Sequence, residues 1–120
     1  GQAVDGPGLS PEDFAPVGAF LDSFNRDLEE SGELVDTRAL AAPVHARRVQ
    51  LGGAVPVVTD GPYAETQEVL AGYWIVECES FDRATEIAAR LAECPSPGGI
   101  FDDSVADVRP LDELEADPEV

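Results

Sequence analysis

Apolar residues recur at helical spacing in two stretches of this chain. In the first, Phe14, Val17, Leu21, Phe24 and Leu28 fall three or four positions apart and line up one face of a helix. Asp22, Arg26 and Glu29 occupy the opposite face. Ser10-Pro11-Glu12-Asp13 marks the start: a serine to cap, a proline at the first helical position and acidic residues in the first turn. Ser31-Gly32 supplies the stop. The second stretch runs from Phe81 to Glu93 behind a Ser80 cap, with Phe81, Ala84, Ile87, Ala88 and Leu91 as its apolar set.

Between and after these helices the pattern turns β-like. Glu33 to Asp36 reads as a short extended piece. Val44 to Leu51 predicts a strand that is partly exposed, since it carries Arg47, Arg48 and Gln50. Gly52-Gly53 makes a turn, and Val55 to Thr59 returns as the second arm of a hairpin. Asp60-Gly61-Pro62-Tyr63 ends that arm sharply, and residues 64–70 hold a single helical turn. Gly72 to Cys78 is the clearest strand. Tyr73, Ile75 and Glu77 point one way, and Trp74, Val76 and Cys78 the other. Large apolar groups thus stand on both faces, where a half-solvated strand would alternate more cleanly. One helix layer covers one face, and a partner subunit is the economical cover for the other. Ser104 to Leu111 predicts a closing strand.

The order helix, hairpin, strand, helix, strand predicts an α+β fold, a ferredoxin-like βαββαβ pattern lacking its opening strand. That strand is expected before Gly1, unless Gln2 to Val4 supplies a stub. One domain is expected over residues 1–111, with 1–9 as a loop-like lead and 112–120 as an acidic flexible tail.

Charge narrows the partners. Asp and Glu number 25 against 7 Lys and Arg, a net charge of −18. Such a surface repels a phosphate backbone, and Arg38, Arg47, Arg48 and Arg83 form no basic stripe, so a nucleic-acid partner is not expected. No apolar run approaches the roughly 20 residues that span a bilayer. No basic-then-apolar stretch marks a secretory signal, so none is expected. A cytoplasmic, acidic protein with no membrane partner is expected. Cys78 and Cys94 match neither a disulfide framework nor a metal spacing. With His45 as the single histidine, no metal and no cofactor is expected.

The run Val57-Val58-Thr59-Asp60-Gly61-Pro62-Tyr63-Ala64-Glu65-Thr66 resembles the signature of the YCII-related family in its DGPF branch. Tyr63 stands where that branch usually has Phe, and Gln67 where it has Lys. Leu70-Ala71-Gly72-Tyr73-Trp74, the stretch from Ser80 to Leu91, and Val108-Arg109-Pro110 are similar to later parts of the family pattern. The resemblance runs from about Pro11 to Leu111. It implies a dimeric α/β barrel, hence a homodimer. It implies little chemistry: a recurring His and Asp point to enzymes in parts of the family, and other members are linked to sigma factors. The His carried by many relatives on the first helix aligns near Val17.

Two functional readings follow. In one, a small molecule binds in a cleft near the Asp-Gly-Pro-Tyr motif and meets a cofactor-independent lyase- or isomerase-like enzyme. Asp60 is then the acid–base residue, Tyr63, Tyr73 and Trp74 shape the cleft, and Glu65 assists. In the other, the protein is a non-enzymatic regulatory or interaction protein, for example a sigma-factor associate. Each residue also has a structural role open to it. Asp60-Gly61-Pro62 is a sound turn, with Gly61 free to take positive φ. Glu65 and Glu68 fit a solvated face, and the aromatics fit a core or dimer interface. His45 fits an exposed strand position on the same face as Arg47.

Overall fold

The computed structural model describes residues 8–61 and 70–112. The chain forms two compact units: residues 1–34 with 76–120, and residues 35–75.

The first unit is helical. Pro11–Phe14 forms a tight 3-10 turn before helix α1, Ala15–Ser31. Pro16 explains the change of pitch. It has no N–H to give the preceding turn, so it is tolerated only near a helix N-terminus. Asp13 reaches back to accept from the Ser10 backbone N–H (2.8 Å) and hydroxyl (3.2 Å). Gly32 ends α1 in the left-handed region, φ 82°, and Glu33 N–H closes onto the Leu28 carbonyl. Helix α2, Phe81–Ala89, is capped by the Ser80 hydroxyl, which accepts from Arg83 N–H, and it tightens into a 3-10 turn over Arg90–Glu93.

The periodicity places the core well. Val17, Phe24 and Leu28 of α1 are buried with Ile87 of α2. Phe20 stacks on Phe24 at 6.1 Å between centroids, and the Arg90 guanidinium lies 5.1 Å from the Phe24 centroid while pairing with Asp27 at 2.9 Å. Phe81 departs from expectation at 55% exposed. It is the first residue of α2, ahead of the face that Ala84, Ile87 and Ala88 turn inward.

The second unit is β-rich. Strand β1, Leu34–Ala39, pairs with β4, Gly72–Val76; β2, Arg47–Gln50, pairs with β3, Val57–Asp60. The inner pair is an antiparallel hairpin with Arg47 opposite Asp60, Arg48 opposite Thr59, Val49 opposite Val58 and Gln50 opposite Val57. Alternation puts Arg47, Asp60, Val49 and Val58 on one face and the other two pairs on the second. The architecture is therefore mixed: two helices and small antiparallel sheets, an α+β fold.

Several boundaries move for definable reasons. β1 extends past Asp36 because β4 supplies a partner for it. β3 starts at Val57 because Pro56 has no N–H to give the ladder. Val44 and His45 are not in a strand: Pro43–His45 is a 3-10 turn closed by His45 N–H to the Ala42 carbonyl and Ala46 N–H to the Pro43 carbonyl. Residues 104–111 form no strand, and Val105 and Leu111 are 70% and 66% exposed. An extended run gains little without a neighbouring strand, and no described strand pairs with it. The expected helical turn over 64–70 falls, except for Leu70, outside the described residues.

All five residues of β4 are half-buried, as its two apolar faces require. The hairpin is different: every residue of β2 and β3 is exposed, Val49, Val57 and Val58 among them.

Candidate functional site

The Asp-Gly motif sits at the end of β3. Asp60 stands opposite Arg47 across the hairpin, and its Oδ1 accepts from Arg47 Nε at 3.0 Å. Both side chains are open to water, 78% exposed for Asp60 and 71% for Arg47. The next residue turns the chain inward. Gly61 N–H donates to the Ala46 carbonyl at 2.9 Å. A Cβ at Gly61 would run into the Pro43 carbonyl. Gly61 does not adopt positive φ. The motif needs glycine here because backbone passes against backbone, rather than for a left-handed turn.

That close approach fixes the Asp60-Gly61 step against the segment that precedes β2. There the chain forms an open depression of about 260 Å³, lined by Leu40, Ala42, Pro43, Ala46 and Leu70 around His45. Pro43 makes the 3-10 turn, and the turn brings His45 to the wall. Sequence reasoning placed His45 in a strand beside Arg47 and so missed this position. The available signal was Pro43, which favours the start of a turn.

Tyr73 and Trp74 belong to the other sheet. The Tyr73 hydroxyl donates to Asp36 Oδ2 at 3.2 Å, and Arg38 pairs with Asp36 Oδ1 at 2.8 Å. The Thr37 hydroxyl donates to the Tyr73 carbonyl at 2.8 Å. These bonds fix Tyr73 to β1. Trp74 is half-buried on the same strand. Tyr63 and Glu65 lie outside the described residues.

A third charged group is structural in character. Arg83 of α2 grips Glu33 with two bonds of 2.9 Å, and Ser31 adds a hydroxyl at 2.8 Å. Glu33 is 15% exposed at its side chain. The Arg83 bonds first, then Ser31, lower the Glu33 carboxyl to about 2, and Arg83 is raised in turn, first by Glu33 and then by Glu86. The pair clamps the end of α1 to the start of α2.

Neither cysteine is set up as a nucleophile. Burial pushes the Cys94 thiol up, which disfavours its thiolate. The Cys78 thiol donates to the Ser80 carbonyl at 3.4 Å. Among the described residues no group of three His, Cys, Asp or Glu side chains could hold a metal ion. No helix among them is long and apolar enough to cross a membrane. Val17 is a core residue.

Comparison with known proteins agrees with the motif. An uncharacterised protein of Rhizobium meliloti (strain 1021) is 32% identical over 91 residues, covering 76% of this chain and 69% of that protein. The family model of the YCII-related domain matches residues 15–109, from the first residue of α1 through the run after α2, and the chain belongs to the YCII-related family.

Proposed function

We propose that this protein binds a small molecule in the depression beside the Asp60-Gly61 step, and that Asp60 acts on it as an acid–base residue in cofactor-independent lyase- or isomerase-like chemistry. The observation that carries the reading is the Gly61 N–H bond to the Ala46 carbonyl, with the Gly61 backbone against Pro43. It ties the family motif to the segment whose His45 side chain lines the depression. The Asp60 side chain is exposed, so it can reach a bound substrate, accept a proton from it and return it elsewhere. Arg47 holds the carboxylate at the hairpin end. Tyr73 and Trp74 shape the approach from β4, Tyr73 being fixed by Asp36. Tyr63 and Glu65 belong to the same proposal through the motif.

The test is a metabolite screen of the wild type and Asp60→Asn side by side, reading thermal stabilisation and compound consumption. Compounds that stabilise one should stabilise both, and consumption should fall by about 10²–10⁴ in the variant. Full consumption by Asp60→Asn removes the acid–base role. If no compound stabilises either protein, the interaction-protein reading, with a sigma factor as the partner to test, takes its place.

A second element of the proposal is the homodimer in a ferredoxin-like α/β barrel. It is favoured by the hairpin, whose valines stand exposed, and by β4, which carries large apolar groups on both faces.

A further inference from the structure

We infer that the ligand of this depression is a small, uncharged, mostly apolar molecule with a single hydrogen-bonding head that meets His45. The inference rests on the reading of the depression as a binding site and adds the chemical class of its occupant. Size comes first. About 260 Å³ lies below the roughly 300–1,000 Å³ of drug-sized ligand sites, which leaves room for one ring or a short branched chain. Polarity comes second. Apart from His45, the lining side chains are those of Leu, Ala and Pro. Four backbone N–H groups around them are already paired. Leu40 N–H donates to the Ala71 carbonyl, His45 N–H to Ala42, Ala46 N–H to Pro43, and Gly61 N–H to Ala46. These four donors are thus closed to a ligand, and among the described residues the imidazole is the polar side chain at the wall. A sugar or a phosphate ester, which needs many polar partners, would find few on these walls. Charge comes third. A net charge of −18 disfavours an anion, and the nearby Arg47 is already paired with Asp60.

His45 is the only histidine in the chain, so its ring protons give an unambiguous NMR signal from the site. The experiment titrates the whole protein with phenol, toluene, benzoate, glucose and inorganic phosphate. Phenol should move the His45 ring signals saturably, at roughly three- to tenfold lower concentration than toluene, the share of one net hydrogen bond. Benzoate should bind more weakly than phenol, and glucose and phosphate should leave the ring signals in place. Ala42→Phe, at an exposed wall position, should fill the space and weaken phenol about tenfold or more. Saturable shifts from benzoate, phosphate or glucose at lower concentration than phenol overturn the ligand class and leave the site standing. No shift from any compound, or a phenol response unchanged in Ala42→Phe, overturns the site together with the ligand class. Loss of consumption in Asp60→Asn is read separately, so failure of the catalytic role is distinguishable from both.

Discussion

At the scale of single residues, the family motif reads differently once Gly61 is seen against Pro43. A glycine in Asp-Gly-Pro invites an explanation from turn geometry alone. Here the constraint is the carbonyl of a residue eighteen positions earlier, which leaves no space for a Cβ. Gly61→Ala should therefore destabilise the protein by about 1–3 kcal/mol, the usual cost of forcing an extra carbon into occupied space. A lower urea midpoint at unchanged slope would report it. An unchanged midpoint would mean that the Pro43 turn yields freely. Asp60 was legible as the motif's acid, and its partner was not. The Arg47–Asp60 pair depends on the hairpin register, which Pro56 sets by shortening β3, and the sequence pattern alone placed the strand start at Val55. His45 was misread for a similar reason. Its neighbour Pro43 closes a turn, and local β-propensity at Val44 gave way to it.

At the scale of elements, the helices were the legible part. Their apolar spacing marked Val17, Phe24, Leu28 and Ile87, and all four are buried. Phe24 is 1% exposed and carries both a stacked ring and a guanidinium. Phe24→Ala should cost about 3–5 kcal/mol, measured by chemical denaturation. Helix spacing could not show the Glu33–Arg83 clamp, because its partners lie fifty positions apart. The clamp sets a pH dependence. Glu33 holds its proton less tightly in the fold, near 2, than its ordinary value of 4.5. Its stabilisation is therefore complete above about pH 4.5 and is lost as pH falls towards 2. The rise of Arg83 works in the opposite sense and is lost only in strong alkali. Stability followed from pH 6 to pH 2 should decline across that lower window, and Glu33→Gln should flatten this part of the curve. A variant with the same acid limb as the wild type would show that Glu33 contributes nothing to it. Residues 104–111 show the limit of strand reading: alternation marks a segment able to pair, but a strand also requires a neighbour.

At the scale of the whole molecule, the residues that stay exposed are as informative as the core. Among the described residues the four buried hydrophobic side chains all belong to the helical unit, while Val49, Val57 and Val58 of the hairpin stand in water in the single chain. The proposed dimer gives them a cover. Sedimentation at micromolar concentration should show twice the chain mass, and Val49→Lys should raise the dimer dissociation constant about tenfold or more. A wild-type monomer under those conditions contradicts the dimer. The proposed binding site is a separate matter, since its described lining comes from residues 40–46 and Leu70. Family membership and the motif were legible from residues 57–66, but the chemistry was not, because the aromatic strand and the Asp-Gly step lie on different sheets. The most direct measurement is an amide-resolved NMR titration of the full chain with a library of small neutral compounds. The proposal predicts that hits shift residues 40–46 together with Asp60 and Gly61. Hits whose shifts fall only on α1 and α2, with that segment unmoved, would contradict it.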